Sequence, residues 1–317
     1  MLIFCDDTTI IASGKNLSDL VNFVNSELRK ISIWFRANMM SLHPCKTKFT
    51  IFHSNEQSIP WEELNIVIDD NDEDCTSPDP SLIKKLAFVN KYSDTPAIRF
   101  LGVYFDPSLS FKYNIEQLNV KLSKALFNLR RAKNILSEQS LKSLYYSTFH
   151  CHLIYCILIY SSACPTSLKS IIIKQKKAIR CVADAKYNAH TGPLFKQLKI
   201  LPFDSLVTFS RLQFISDFKH NHLPKSFCNV WQINEDRQLH HVLRNANEFY
   251  IPRARTSLVG RLPLCTLPTT WNDFEDPELI KNIDLRLDFK SLLKNHLIEN
   301  IPTICNRLLC PMCHLKL

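Results

Sequence analysis

Met1-Leu-Ile-Phe-Cys-Asp-Asp-Thr-Thr-Ile-Ile-Ala12 is the stretch on which the reading of this chain turns. Apolar residues flank the adjacent carboxylates of Asp6 and Asp7, and the β-branched run Thr8, Thr9, Ile10, Ile11 favours a strand over a helix. The pattern predicts strand, acidic turn, strand, with both carboxylates on a tight hairpin. Neighbouring carboxylates repel, so such a pair is most comfortable where a divalent cation neutralises it. Oxygen ligands on a hairpin suit Mg²⁺, which takes carboxylates together with substrate phosphates. The plain alternative is a solvated turn, since Asp is a common turn former.

Outward from that hairpin, Leu17, Leu20, Val21, Val24, Leu28, Ile31 and Phe35 recur at three- and four-residue spacing. They predict a helix from Leu17 to Phe35, capped by Asn16 or Ser18 and packed beneath the acidic turn. Next comes Trp34-Phe-Arg-Ala-Asn38-Met-Met-Ser-Leu42-His-Pro-Cys-Lys46-Thr47, then a predicted strand, Phe49-Thr-Ile-Phe52. Farther on, Ile98-Arg-Phe-Leu-Gly-Val-Tyr-Phe-Asp106 reads as an apolar strand from Ile98 to Phe105.

Taken in order, these blocks resemble the polymerase of non-LTR (LINE-type) retrotransposons, read from the middle of its palm. That family has an aromatic-Ala-Asp-Asp turn, then Trp-x3-Asn-x3-Leu-x3-Lys-Thr, then Phe-Leu-Gly-Val. Phe4, Asp6 and Asp7 match the first block, with Cys5 in place of Ala; Trp34, Asn38, Leu42, Lys46 and Thr47 match the second; Phe100 to Val103 match the third. The resemblance implies an RNA-directed DNA polymerase with an RNA template and a DNA primer strand as partners. It assigns Asp6 and Asp7 as catalytic Mg²⁺ ligands, Lys46 or Lys48 near the nucleotide phosphates, and Phe100, Leu101 and Gly102 as the primer grip. Two Mg²⁺ ions about 4 Å apart would activate the primer hydroxyl and steady the leaving pyrophosphate. The family's third catalytic carboxylate and its fingers precede the Asp-Asp turn, and this sequence opens one strand before Asp6. The expectation is therefore a fragment that is inactive alone, with a non-catalytic RNA- or DNA-binding protein derived from such an element as the alternative.

Bulk properties agree with a polyanion-handling protein. The chain of 317 residues is long enough for about two domains. Residues 1–110 carry 10 Lys and Arg against 15 Asp and Glu, a net −5, which leaves +14 of the total +9 to the remainder. An acidic catalytic segment joined to a basic one suits metal chemistry on a nucleic acid, although a solubilising surface would carry charge too. The four glycines are scattered, which excludes a phosphate-binding or dinucleotide-binding Gly-rich loop and argues against a small-molecule cofactor.

The fold class expected is α+β. Half a palm, an antiparallel sheet with its helix, occupies residues 1–110. A helical thumb-like region follows over 111–189, then a helical basic C-terminal region over 190–300 and a Cys/His tail over 301–317. In the thumb-like region Ile115, Leu118, Leu122, Leu126 and Leu129 share one face. Lys112, Lys121, Lys124, Arg130, Arg131 and Lys133 fall largely off it, so the basic side would track a phosphate backbone. A helix from Ser137 to His150, an apolar segment Leu153–Tyr160 and a basic helix Leu168–Val182 extend the region, and Arg253, Arg255 and Arg261 suggest a basic loop.

Residues 56–80 hold nine acidic residues and no Lys or Arg, but an EF-hand beginning at Asp70 would place Cys75 and Ser81 where Gly and Glu are needed. The run Asp69–Asp74 reads as a solvated loop closed by Pro78 and Pro80. The tail, Cys305, Cys310, Cys313 and His314, resembles the remnant of the family's zinc knuckle, although its order departs from Cys-Cys-His-Cys and Cys313 adjoins His314. Twelve scattered cysteines without a secretory signal, and no apolar run near the roughly 20 residues a bilayer needs, imply an intracellular protein of nucleus or cytoplasm without a membrane partner.

Overall fold

In the computed structural model, described over residues 2–4 (backbone only), 7–53, 59–60, 64–69, 71, 79–235, 237, 248–274 and 286–302, the chain is α+β. It divides into two compact units, Met1–Leu109 and Ser110–Leu317.

The N-terminal unit opens with β1 (Leu2–Phe4) and β2 (Asp7–Thr9), antiparallel and in the register Leu2↔Thr9, Phe4↔Asp7. The helix α1 (Leu17–Ala37) follows, and the Asn16 side chain accepts from the Ser18 amide as its N-cap, 3.1 Å. Its principal partner is not the β1–β2 hairpin expected from the sequence but β4 (Val67–Asp69), a strand that the sequence reading did not predict. The reason is apolar alternation: Leu64, Ile66 and Ile68 are buried, and Leu28 of α1 closes over Ile66, Ile68 and Leu86. Asn25 anchors the join, donating to the Asn65 carbonyl (2.8 Å) and accepting from the Val67 amide (3.1 Å).

β3 (Lys48–Phe49) is shorter than predicted and pairs in parallel with β6 (Ala87–Phe88), while β5 (Ile83–Lys85) pairs antiparallel with β4. The segment Ile98–Phe105 is a hairpin rather than one strand, β7 (Ile98–Phe100) against β8 (Val103–Phe105). Leu101 (φ 45°) and Gly102 (φ 85°) both take positive φ, as a two-residue type I′ turn demands. Among the described residues the strands thus form four two-stranded ladders, not the single antiparallel sheet of half a palm. Strands of two or three residues leave little ladder on which a wider sheet could build.

The C-terminal unit is helical. α2 (Lys112–Ala132) buries Ile115, Leu118, Leu122, Leu126 and Leu129, the face predicted from spacing, and packs along α6 (Pro165–Val182). Between them run α3 (Glu138–Tyr145), a single π turn Tyr146–His150, α4 (Cys151–Ile154) and α5 (Ile157–Tyr160). Cys156 at φ 53° marks the reversal between the last two, so the apolar segment 153–160 is two short helices. α7 (Thr191–Leu198), α8 (Phe203–Lys219), α9 (Ser257–Arg261), α10 (Pro263–Asn272) and α11 (Arg286–Glu299) complete the unit. No described helix is long and apolar enough to cross a membrane. The described cysteines Cys45, Cys151, Cys156, Cys164, Cys181, Cys228 and Cys265 are free thiols.

Candidate catalytic hairpin and nucleic-acid interface

Asp7 opens β2, opposite Phe4, and is exposed; only Cys5 and Asp6 lie between the paired residues, and both are outside the described residues. Lys46 and Lys48 are exposed, and no hydrogen bond or ion pair joins either to Asp7. A carboxylate oxygen is the right kind of donor for Mg²⁺. Yet among the described residues no group of three or more His, Cys, Asp or Glu could hold a metal ion, so Asp7 alone does not make a site. The candidate zinc ligands Cys305, Cys310, Cys313 and His314 lie outside the described residues.

The four-residue spacing of the second block has a local physical cause. Trp34 sits in the last turn of α1, T-shaped against Phe35 with centroids 5.4 Å apart. Asn38 ends the helix: its side-chain amide donates to the Trp34 carbonyl, 2.8 Å. Met39 then takes a left-handed φ of 57°, and the Met40 amide reaches back to the Phe35 carbonyl, 2.8 Å, closing a Schellman-type stop. Leu42 packs on the Leu28–Ile68 cluster. Thr47 closes the following turn, its hydroxyl donating to the His43 carbonyl at 3.0 Å, and leaves Lys46 and Lys48 facing solvent. The block therefore delivers the chain from α1 into β3.

The hairpin nominated as primer grip presents Leu101 at its tip, 37% exposed, beside a half-buried Gly102. Phe100 and Phe105 pack edge to face across it, 6.4 Å apart.

In the C-terminal unit the cations nominated from sequence fall into two groups. Lys112, Lys121, Lys124, Arg130 and Arg131 are all exposed on α2, which carries only one carboxylate, Glu116. Arg131 lies over the ring of Phe127, 5.7 Å to the centroid, and Phe127 is 57% exposed, an aromatic contact the helical pattern did not single out. Others serve the fold. Lys133 pairs with Asp184 at 2.7 Å, and that hydrogen bond raises its pKa. Lys174 donates to the Asn119 carbonyl (2.9 Å), and its burial, with Lys177 adding to it, lowers its pKa. Arg180 is buried with Nε on the Ala189 carbonyl (2.8 Å), and Arg261 belongs to α9, holding the Ser162 carbonyl at 3.1 Å. Arg253 and Arg255 remain exposed.

No family model matches this chain, and no match is found among curated proteins or among solved structures.

The Trp271-Asn272 pair is structural. Trp271 is buried, and Asn272 both donates to and accepts from the Phe249 backbone, at 2.8 and 3.0 Å. That clamp closes an aromatic core in which Phe249 meets Trp271 edge to face at 6.3 Å.

Proposed function

We propose that this chain is part of an RNA-directed DNA polymerase of the non-LTR retrotransposon type. On this reading it carries the Asp6–Asp7 half of the metal site and a basic helical arm that grips nucleic acid. The observation that supports the reading is the antiparallel β1–β2 pair with Phe4 opposite Asp7, followed in order by the helix-stop block and the Leu101-Gly102 hairpin. Bound Mg²⁺ would supply charge neutralisation at the acid pair; the chain's own part is to present Asp7 at the start of β2, paired with β1. On this reading the chain binds nucleic acid, and Asp7 serves nucleotidyl transfer. Primer extension with Mg²⁺ and four nucleotides tests this: template-dependent product abolished by Asp7→Asn is the result expected of a polymerase, and product that survives Asp7→Asn would overturn the role of Asp7.

A second reading, a non-catalytic RNA- or DNA-binding protein, rests on the exposed cations of α2. Filter binding across a salt series measures it. Each phosphate contact contributes about 0.7–0.9 to the slope of log K against log salt. A variant replacing Lys121, Lys124 and Arg131 by Gln is expected to flatten the slope by about two to three units. An unchanged slope would remove α2 from the interface.

A further inference from the structure

The outward face of α2 carries residues that neither the core nor helix formation calls for. Ile115, Leu118, Leu122, Leu126 and Leu129 already make the buried stripe. At about 100° per residue, Val120, Lys124, Phe127 and Arg131 fall within about 60° of one another on the opposite side. Val120 is 51% exposed and Phe127 57%, in the middle of a 21-residue helix. At a wetted position Ala, Lys or Glu would form helix better than a β-branched or aromatic residue, and the apolar surface of these two stays in water.

The ring is flanked by charge. Arg131, one turn on, lies over it with the guanidinium carbon 5.7 Å from the centroid. Lys124, one turn back, is exposed on the same face. The two cations stand about 10 Å apart along the axis with the ring between them, so that each can meet a different phosphate. α2 as a whole sets exposed Lys112, Lys121, Lys124, Arg130 and Arg131 against the single carboxylate of Glu116, which selects an anionic partner. Lysines and arginines alone would serve a purely ionic partner. A flat π surface between them adds a contact that a planar group uses.

We infer that this stripe binds single-stranded nucleic acid, with an unpaired base stacked on Phe127 and the flanking phosphates held by Lys124 and Arg131. The inference rests on the reading of α2 as a phosphate-binding helix and narrows its ligand. In a duplex each base face is already covered by its neighbours, so a single strand is what offers a ring to stack. Every base has such a face, and little sequence preference follows.

Fluorescence anisotropy of the full chain with a labelled single-stranded oligonucleotide tests it. Phe127→Leu keeps an apolar side chain and removes the flat ring. Affinity is expected to fall at least about fivefold, the lower end of what one stacked base contributes. The salt slope should stay as in wild type, since no phosphate contact is lost. Phe127→Trp, which restores a flat ring, should bind at least as tightly as wild type. For an abasic strand of equal length and charge, and for a blunt duplex, Phe127→Leu and wild type should agree within about twofold. A residue needed only for folding would weaken binding of all three probes alike. Unchanged single-strand affinity in Phe127→Leu, with the slope flattened in the variant lacking Lys121, Lys124 and Arg131, overturns the stacking site and leaves α2 a phosphate-binding helix. An equal loss on the abasic strand or the duplex overturns it too. An unchanged slope in the triple variant, or no binding by wild type, overturns the phosphate-binding reading and this site with it.

Discussion

The two units of this chain are stabilised by different means. In the C-terminal unit, long helices satisfy their own backbones and bury whole stripes, so that Leu122, Leu129, Tyr145, Phe149, Ile171 and Ile179 are all but solvent-free. Among the described residues, the largest fully buried side chains include only Ile68 from the N-terminal unit. That unit relies on ladders of two or three residues, turns with positive φ, and side chains bonded to backbone, such as Asn25 against β4. The acid-pair motif thus sits in the half with little core, and the exposed cations of α2 stand on the half with a deep one. A binding face can rest on rigid packing, whereas the hairpins depend on local turn chemistry, which a few substitutions will shift.

The largest test of that contrast is Leu122→Ala. Leu122 is fully buried on α2, which packs along α6, and removing it should cost about 2–5 kcal/mol through lost burial and the cavity left behind. Hydrogen exchange should show amides of α2 and α6 losing protection by that amount while those of α1 keep theirs. Equal loss in α1 would make the two units one cooperative body. Next in size is Asn25→Ala, which removes both bonds to the Asn65–Val67 backbone and should cost about 1–3 kcal/mol, read in the exchange of β4 and α1 with α2 unmoved. If β4 keeps its protection, the N-terminal unit has more core than its buried residues imply.

How much of this was legible in the sequence follows the same division. The buried face of α2 could be read because helical periodicity is a local signal and the same five residues meet the core. Asn16 as a cap and the pairing of the strands that flank residues 5 and 6 were legible for the same reason. β4 was not: Leu64, Ile66 and Ile68 alternate with period two, but the acidic residues around them carried the stronger signal. Nor could the roles of Lys174, Arg180 and Arg261 be read, since a basic residue on a helix looks the same whether it meets solvent or a carbonyl from a distant element. At the third block the run looked like one continuous strand, because Leu101 is an unusual residue at positive φ. For the candidate site, residue types were legible, but what surrounds them depends on contacts distant in sequence.

The Leu101-Gly102 turn gives a smaller, two-signed test. Gly102→Ala places a side chain at φ 85° and should cost about 1–2 kcal/mol, whereas Leu101→Asn, more tolerant of φ 45°, should gain up to about 1 kcal/mol. Thermal melts moving in opposite directions would show that turn strain governs this hairpin. Both variants moving the same way would mean that the Leu101 side chain matters more than its backbone.

The smallest effect expected is a pH dependence confined to the N-terminal unit. Burial alone would raise the Asp69 pKa, but donors from the Asn71 backbone (3.0 Å) and side chain (2.8 Å), aided by Arg29 and Arg36, hold it below the ordinary carboxylate range. A carboxyl whose pKa is depressed on folding contributes stability above the ordinary value near pH 4, and that contribution is lost as pH falls through the folded value. Protection of β4 and α1 should therefore decline as the medium is acidified below about pH 4, in step with the Asp69 carboxyl carbon shift. Asn71→Ala removes the side-chain donor while the backbone N–H of residue 71 stays, and so brings the folded pKa part of the way back up. The variant should be less stable at neutral pH and fall less steeply in acid. If its acid limb is as steep as that of wild type, the dependence lies in other carboxylates, and the cap at the end of β4 is not what ties this unit to pH.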